Sequence, residues 1–513
     1  MINKYVNKNE LPEEILSRIL LTGVVKNQFY KNIDDIIKES IPFLIDRAKT
    51  DPEFLMKAAC FARNSSMKGM VKVALAAING SAKDAFLAQE HVRKAAIALL
   101  ATFHPGQLLQ FVEMVKSKQF GRGFGSRPQK WVRSAMEKWN GKKLENYTLK
   151  YPAALNSLAR LVHPRYNDER KGLILYVLGD KKDQATGKKQ LVVEEMKGLT
   201  NQNKIAELML DNEIPWDVVK GFAGMSGPLA IASMTQMGLT ALLLNIRSLE
   251  QHGVFNTNDG ITALKLKMNE VKSGRSIPLD FAKPYIYATD DDVKGVLLDA
   301  MVDTLDVDMG PVEGMSIGVS VDISGSMGGE PLKTAGLLAV PFLKAKNLWF
   351  TTFDTNLYEE GVEFVNKGLY NYIGSYNFVA SCPQIHGLSR KNQIKNLLAM
   401  RTAGGTDISV SLRAAIQTKR KMDLMVVITD EQQNTGTPLM VAWKQYKQIV
   451  NPDAQMWVIN ASNIEWHSAD FGDRSVTVYQ TMTPALFKNL EYVGQNIVQA
   501  IRNFDLSTFG EQN

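Results

Sequence analysis

Apolar residues recur at helical spacing through the first three hundred positions. Asp51-Pro52-Glu53 reads as a helix start, a capping carboxylate followed by a proline whose missing N–H costs nothing there. FLMKAACFARN follows from Phe54, and VKVALAAING closes on Asn79-Gly80, a helix stop. The runs KDAFLAQEHVRKAAIALLATF from Lys83, GQLLQFVEMVKSKQF from Gly106, PQKWVRSAMEKWN from Pro128 and MGLTALLLNIRSLEQHG from Met237 repeat the pattern. Strand-like alternation is scarce here, so stacked helix pairs are expected, although no fixed period emerges. Beyond residue 310 the pattern changes. SIGVSVDIS, NLWFTTFD, LMVVITD and QMWVIN are short apolar runs, separated by helical stretches such as PLKTAGLLAVPFLKAK and DISVSLRAAIQTKRK. Strands alternating with helices predict a parallel sheet covered on both faces. The boundary is expected near Pro311, after the acidic TDDDVKGVLLDAMVDTLDVD, with LDVDMG (Leu305 to Gly310) read as a linker.

The 513 residues suit two to four units of about 100–200 residues each. With 45% hydrophobic residues the chain is neither disordered nor fibrous. No apolar run approaches the roughly 18 residues of a membrane span, and the N-terminus lacks the apolar stretch of a secretory signal. Two distant cysteines, Cys60 and Cys382, fit free thiols in a reducing cytoplasm.

The net charge of +7 is unevenly spread: Lys116 to Lys171 holds 14 Lys/Arg against four Asp/Glu, leaving the remainder slightly acidic. Such a concentration suits a polyanion; a solvated lysine-rich surface is the other reading. On a helical wheel Trp131, Val132, Ala135, Met136 and Trp139 share the buried side, with Lys130, Arg133, Ser134, Glu137 and Lys138 opposite. The glycine-rich stretch from Phe120 to Arg127 reads as a flexible loop carrying two guanidiniums, Arg122 and Arg127, suited to phosphate. In AALNSLARLVH, Ala154, Leu155, Leu158, Leu161 and Val162 line one side, and Asn156, Arg160 and His163 the other.

Asp322, Ser324 and Ser326 follow the strand SIGVSV, Asp430 follows LMVVIT, and Gly404-Gly405-Thr406-Asp407 lies between them in sequence. Strand ends of an open parallel sheet are where ligands bind, and this set supplies only hard oxygens, as Mg²⁺ or a similar divalent cation prefers. The neutral hydroxyls would leave the ion much of its charge, able to accept a partner's carboxylate. The other reading is a hydroxyl-rich strand end that caps the next helix. The pattern resembles the metal-ion-dependent adhesion site of von Willebrand factor A domains. That resemblance implies Ser324, Ser326 and Thr406 as ligands, with Asp322 and Asp430 acting mainly through water. No phosphate loop, nucleophile elbow or zinc-spaced histidine set is present.

Taken together, RILLTGVV, the GRGF…W…WNGK block, LKYP…LARLVHP, MGLTALLLNI and an A domain with DISGSM, GGTD and ITDE resemble, in order and over nearly the whole chain, the Ro autoantigen family. That family carries the TROVE module, and the match is to a bacterial or phage-type Ro-like protein. The resemblance implies an α plus α/β chain: a ring-like, HEAT-type helical-repeat domain over residues 1–310, then a doubly wound von Willebrand factor A domain over 311–513. It implies a cytoplasmic, monomeric, non-enzymatic ribonucleoprotein component active in RNA quality control. Small noncoding Y-like RNA would bind the basic outer surface, and single-stranded 3′ ends of misfolded RNA would enter a central hole. Bacterial members can tether a Y RNA to a 3′ exoribonuclease. Arg122, Arg127, Lys130, Arg133, Lys138, Arg160 and His163 would contact the RNA. Two positions depart from the family's pattern: Leu155 stands where a histidine is common, and Leu244 where an arginine usually follows TALL. The alternative is a protein-interaction scaffold whose metal site captures an acidic partner; a subunit of a metal-chelatase motor leaves the helical half unexplained.

Overall fold

The computed structural model describes residues 12–13, 16, 20, 33–64, 70–166, 169–179, 187–225, 227–269, 278–305, 314–359, 362–365, 369–371, 382–461, 473, 475–480 and 497–512. The RILLTGVV match lies outside these apart from Leu20, as does the linker beyond Leu305. The helical half begins with α1 (Ile33–Thr50), α2 (Pro52–Asn64), α3 (Val71–Ser81), α4 (Glu90–Ala101), α5 (Pro105–Lys116), α6 (Ser126–Glu137), α7 (Gly141–Lys150), α8 (Pro152–Val162) and α9 (Arg170–Val177). It continues through α10 (Lys188–Lys197), α11 (Gln202–Asp211), α12 (Trp216–Ala223), α13 (Gly227–Gln236), α14 (Leu239–Gln251), α15 (Asn258–Asn269), α16 (Ala282–Tyr287) and α17 (Asp291–Leu305).

Local chemistry sets these ends. Asp51 caps α2, its Oδ1 accepting from the Phe54 amide at 3.1 Å. The run from Lys83, read as one helix, divides into a single turn, Asp84–Leu87, and α4. Gln89 is extended there (ψ 136°), so Phe86 and Leu87 stay buried while α4 turns Val92, Ala95 and Leu99 inward.

The second half is an eight-stranded sheet in the order β5-β4-β3-β2-β1-β6-β7-β8. Its strands are β1 (Ser316–Asp322), β2 (Asn347–Phe353), β3 (Leu357–Glu359), β4 (Val362–Val365), β5 (Leu369–Asn371), β6 (Leu424–Thr429), β7 (Gln455–Asn460) and β8 (Val476–Gln480). The four strands expected from the apolar runs are present, and β2, β1, β6, β7 and β8 run parallel. The sheet is mixed, however: β3, β4 and β5 form an antiparallel meander beyond β2. A turn of three residues, 354–356, joins β2 to β3, and only antiparallel neighbours can be joined so briefly.

Alternation within strands feeds two cores. Ile317, Val319, Val321, Leu424, Val426 and Ile428 face α18 (Glu330–Ala339) and α19 (Arg390–Leu398), in one continuous core with α14, α15 and α17. Met425, Val427, Met456 and Val458 face α20 (Val410–Gln417) and α21 (Leu439–Ile449). The α/β unit therefore shares a core with the end of the helical half.

It also reaches back to the beginning. In α22 (Ile497–Arg502) and α23 (Leu506–Gln512), Ile501, Leu506 and Phe509 are buried in the core built by the first nine helices. Lys57 Nζ donates to the Arg502 carbonyl at 2.8 Å, and Phe504 meets Phe61 edge-on at 6.0 Å between centroids. The division at 310 assigned these last helices to the α/β unit, whereas their apolar faces pack with α2 and α4. A third core, from Val193 to Ala232, bridges α10 to α13 and draws in Leu149 of α7. Contacts thus run from the first helices through α10 to α13 to the sheet, and α22 and α23, late in the chain, pack back onto the first helices. No helix among the described residues is long and apolar enough to cross a membrane.

Candidate metal centre and nucleic-acid interface

β2, β1 and β6 are adjacent parallel strands, and strand order reverses at β1, so their C-terminal ends open on the crevice where such sheets bind ligands. β1 ends on Asp322, and Asp430 directly follows β6. The Ser324 amide donates to Asp322 Oδ1 at 2.8 Å and Thr429 Oγ1 to Asp322 Oδ2 at 2.5 Å. Ser324 Oγ lies 3.2 Å from Ser326 Oγ. The Gly404–Thr406 loop is drawn onto this turn: Gly325 N donates to Gly404 O at 3.1 Å and Ala403 N to Ile323 O at 2.7 Å. Thr406 is buried, with Asn434 Oδ1 accepting from its amide at 3.0 Å.

Two features fit a cation. Asp430 is fully buried, and its Oδ2 has no hydrogen-bond partner among the described residues, a state that normally demands an explanation. Burial pushes the Asp322 carboxyl up to about 7, with the Asp430 charge adding to the rise and hydrogen bonds from Ser324 and Thr429 opposing it. Two buried carboxylates of like charge beside converging hydroxyls make a hard-oxygen site that a divalent cation would relieve. Asp407, last of the GGTD run, is engaged elsewhere, by the Ser409 amide and hydroxyl and by Arg413.

Sequence reasoning passed over Asp354, the residue after β2 and thus a third acidic strand end in the same row. The signal was the final letter of NLWFTTFD; its relevance depends on β2 being the neighbour of β1.

The seven basic-face candidates lie on the segment before α6 (Arg122), along α6 and its C-cap (Arg127, Lys130, Arg133, Lys138) and at the end of α8 (Arg160, His163). Trp131, Val132, Ala135 and Met136 are buried, and Lys130 and Lys138 are exposed on the opposite side of α6, as the wheel predicts. The Phe120–Arg127 stretch, expected to be flexible, is anchored. Phe120 is buried, the Arg122 amide donates to Gly80 O at 3.0 Å, and Ser81 Oγ donates to Phe120 O at 2.6 Å. A β-carbon on Gly80 would collide with the Phe120 carbonyl, so glycine is required at that approach. Arg122 Nη1 donates to Ala82 O at 2.6 Å, and both Arg122 and Arg127 face Asp84, at 3.5 and 2.8 Å. Their side chains remain 42% and 33% exposed.

Arg133 reaches across to α8, its Nε donating to Val162 O at 2.6 Å, where a cation complements the helix C-terminus. His163 caps that end in the left-handed conformation (φ 48°) and is exposed. Arg160 Nε donates to Asn156 Oδ1 at 2.8 Å, and Arg160 and His163 together line an open depression of about 350 Å³ with Ala159 and Leu178. Lys130 has no hydrogen-bond or ionic partner among the described residues. The fold therefore gathers the seven, with Arg122 and Arg133 also serving as internal ties. Arg133→Met is expected to lower unfolding free energy by about 1.5 kcal/mol, the value of one charge-assisted hydrogen bond, as denaturant titration would measure. Of the two departures, Leu155 is fully buried and Leu244 is 78% exposed.

Neither a family model nor a curated protein matches the sequence. Among solved structures, the crystal structure of the Deinococcus radiodurans RO (RSR) protein aligns with 98% of this chain and 100% of that chain. The TM-score is 0.69 at 18% identity. At that identity the likeness is one of fold, and it spans both halves.

Proposed function

We propose that the chain is a Ro-like RNA-binding protein that acts by binding rather than catalysis. The observation that carries this reading is the gathering of Arg127, Lys130, Arg133, Arg160 and His163 along α6 and the end of α8, in a fold shared with a bacterial Ro protein. A row of cations on a rigid helical support suits a phosphate backbone, whichever bases it carries. We take the ligand on this face to be a small, structured noncoding RNA of the Y-like class. The packing of α22 and α23 onto the first helices supports the second element of the reading, a hole admitting single-stranded 3′ ends of misfolded RNA, with a 3′ exoribonuclease as a tethered partner. The A domain would hold Mg²⁺ or a similar cation through Ser324, Ser326 and Thr406, with Asp322 and Asp430 behind them. Such an ion, when bound, would offer an open coordination position to an oxygen of a partner. The chain's own part is to keep Asp322 and Asp430 buried and the hydroxyls converged.

The test is RNA binding titrated with salt. Affinity is expected to fall by roughly 0.7 to 0.9 log units per phosphate contact for each decade of salt. No RNA binding at low salt, together with cation-dependent capture of an acidic peptide, would instead support the scaffold reading.

A further inference from the structure

We propose that Asp354 is a positioning residue of the metal centre, holding the Gly404–Thr406 loop where Thr406 can share a cation with Ser324 and Ser326. This rests on the metal-site reading above. Asp354 directly follows Phe353, the β2 residue paired in register with Asp322, and it is buried. Its Oδ1 accepts from the Asn356 amide at 2.7 Å and its Oδ2 from the Tyr358 hydroxyl at 3.2 Å, so the carboxylate is held from its own side of the crevice. Its carbonyl accepts from the Asp407 amide at 2.8 Å, one residue past Thr406. Gly404 presses against the carboxylate in the left-handed region (φ 45°), and a β-carbon there would collide with Asp354 Oδ2. The Gly404 carbonyl in turn accepts from Gly325, between the two serines. Asp354 thus touches both ends of the segment that delivers Thr406, and Gly404 carries that contact to the serine turn. Its buried negative charge adds to the potential drawing a cation to the row of strand ends.

Residues that orient metal ligands from behind commonly weigh ten- to hundredfold in affinity. In calorimetric Mg²⁺ titration of the full-length chain, Asp354→Ala is expected to lose that much. Asp354→Asn, which keeps an acceptor for the Asn356 amide while removing the charge and turning the Tyr358-facing acceptor into a donor, is expected to recover most of the loss. Gly404→Ala should weaken Mg²⁺ in the native background and weaken it less in the Asp354→Ala background, where the carboxylate collision is gone and only the left-handed strain remains. A merely structural Asp354 would leave Mg²⁺ affinity unchanged in the asparagine and alanine variants alike, or would give additive losses in the pair; either overturns the proposal. Failure of the unaltered chain to bind Mg²⁺ would instead remove the metal-site reading, and this inference with it.

Discussion

Asp322→Ala is expected to abolish Mg²⁺ binding, by at least about a hundredfold, a larger loss than replacing a residue that only orients ligands. The side chain is fully buried, accepts from Ser324 N and Thr429 Oγ1, and feels the charge of Asp430, whose Oδ2 has no partner among the described residues. Alanine removes the charge and also frees the Ser324 amide that shapes the serine turn. RNA affinity is expected to change by no more than about threefold, because α6 and α8 belong to a different core from β1. Calorimetry for the cation and anisotropy with a labelled RNA read the two separately. Loss of both would mean that the metal centre also shapes the helical half.

The triple replacement Arg127→Gln, Lys130→Gln and Arg160→Gln is expected to reduce RNA affinity about two-hundredfold at 0.1 M salt. Each phosphate contact releases close to one counterion, worth about sixfold at that concentration, and the three contributions multiply. Neutral replacements are preferred to charge reversal because Arg160 and Arg127 are tied to Asn156 and Asp84, and glutamine preserves part of that bonding. The salt slope should fall with the affinity; an unchanged slope and affinity would place the phosphate elsewhere. Arg133 is left out of the set because its tie to Val162 would mix a stability loss into the result.

Much of the fold was legible. The Asp51-Pro52 start and the amphipathic α6 follow from capping and period, which depend on residues three or four apart, whereas the helix expected to stop at Asn79-Gly80 runs on to Ser81 and Gly80 instead admits the Phe120 carbonyl. The four apolar strands were equally plain, being short and buried beyond their first one or two residues. The meander β3 to β5 was not read, because strands of three or four residues carry too few alternations to stand out. The break before Glu90 was hidden for a similar reason: Ala88 and Gln89 are both acceptable in a helix, and burial of Phe86 and Leu87 decided the matter. Of the candidate site, the Asp-x-Ser-x-Ser turn, Thr406 and Asp430 were visible as types and spacings. Asp354 ended its apolar run as the other acidic residues did, but that signal had no reading of its own, since nothing in the chain says that β2 will lie against β1.

What the sequence determined alone was everything decided by near neighbours along the chain: where helices begin, which faces are apolar, which loops carry oxygen ligands, and where cations concentrate. Tertiary structure decided which cations are tied to helix ends and which face solvent. It alone set Asp354 beside Gly404 and brought residues 497–512 back onto α2 and α4. The physical reason is range. Capping and periodicity act within one or two turns, whereas these contacts join residues tens to hundreds of positions apart, and they form only when buried apolar faces settle which elements become neighbours.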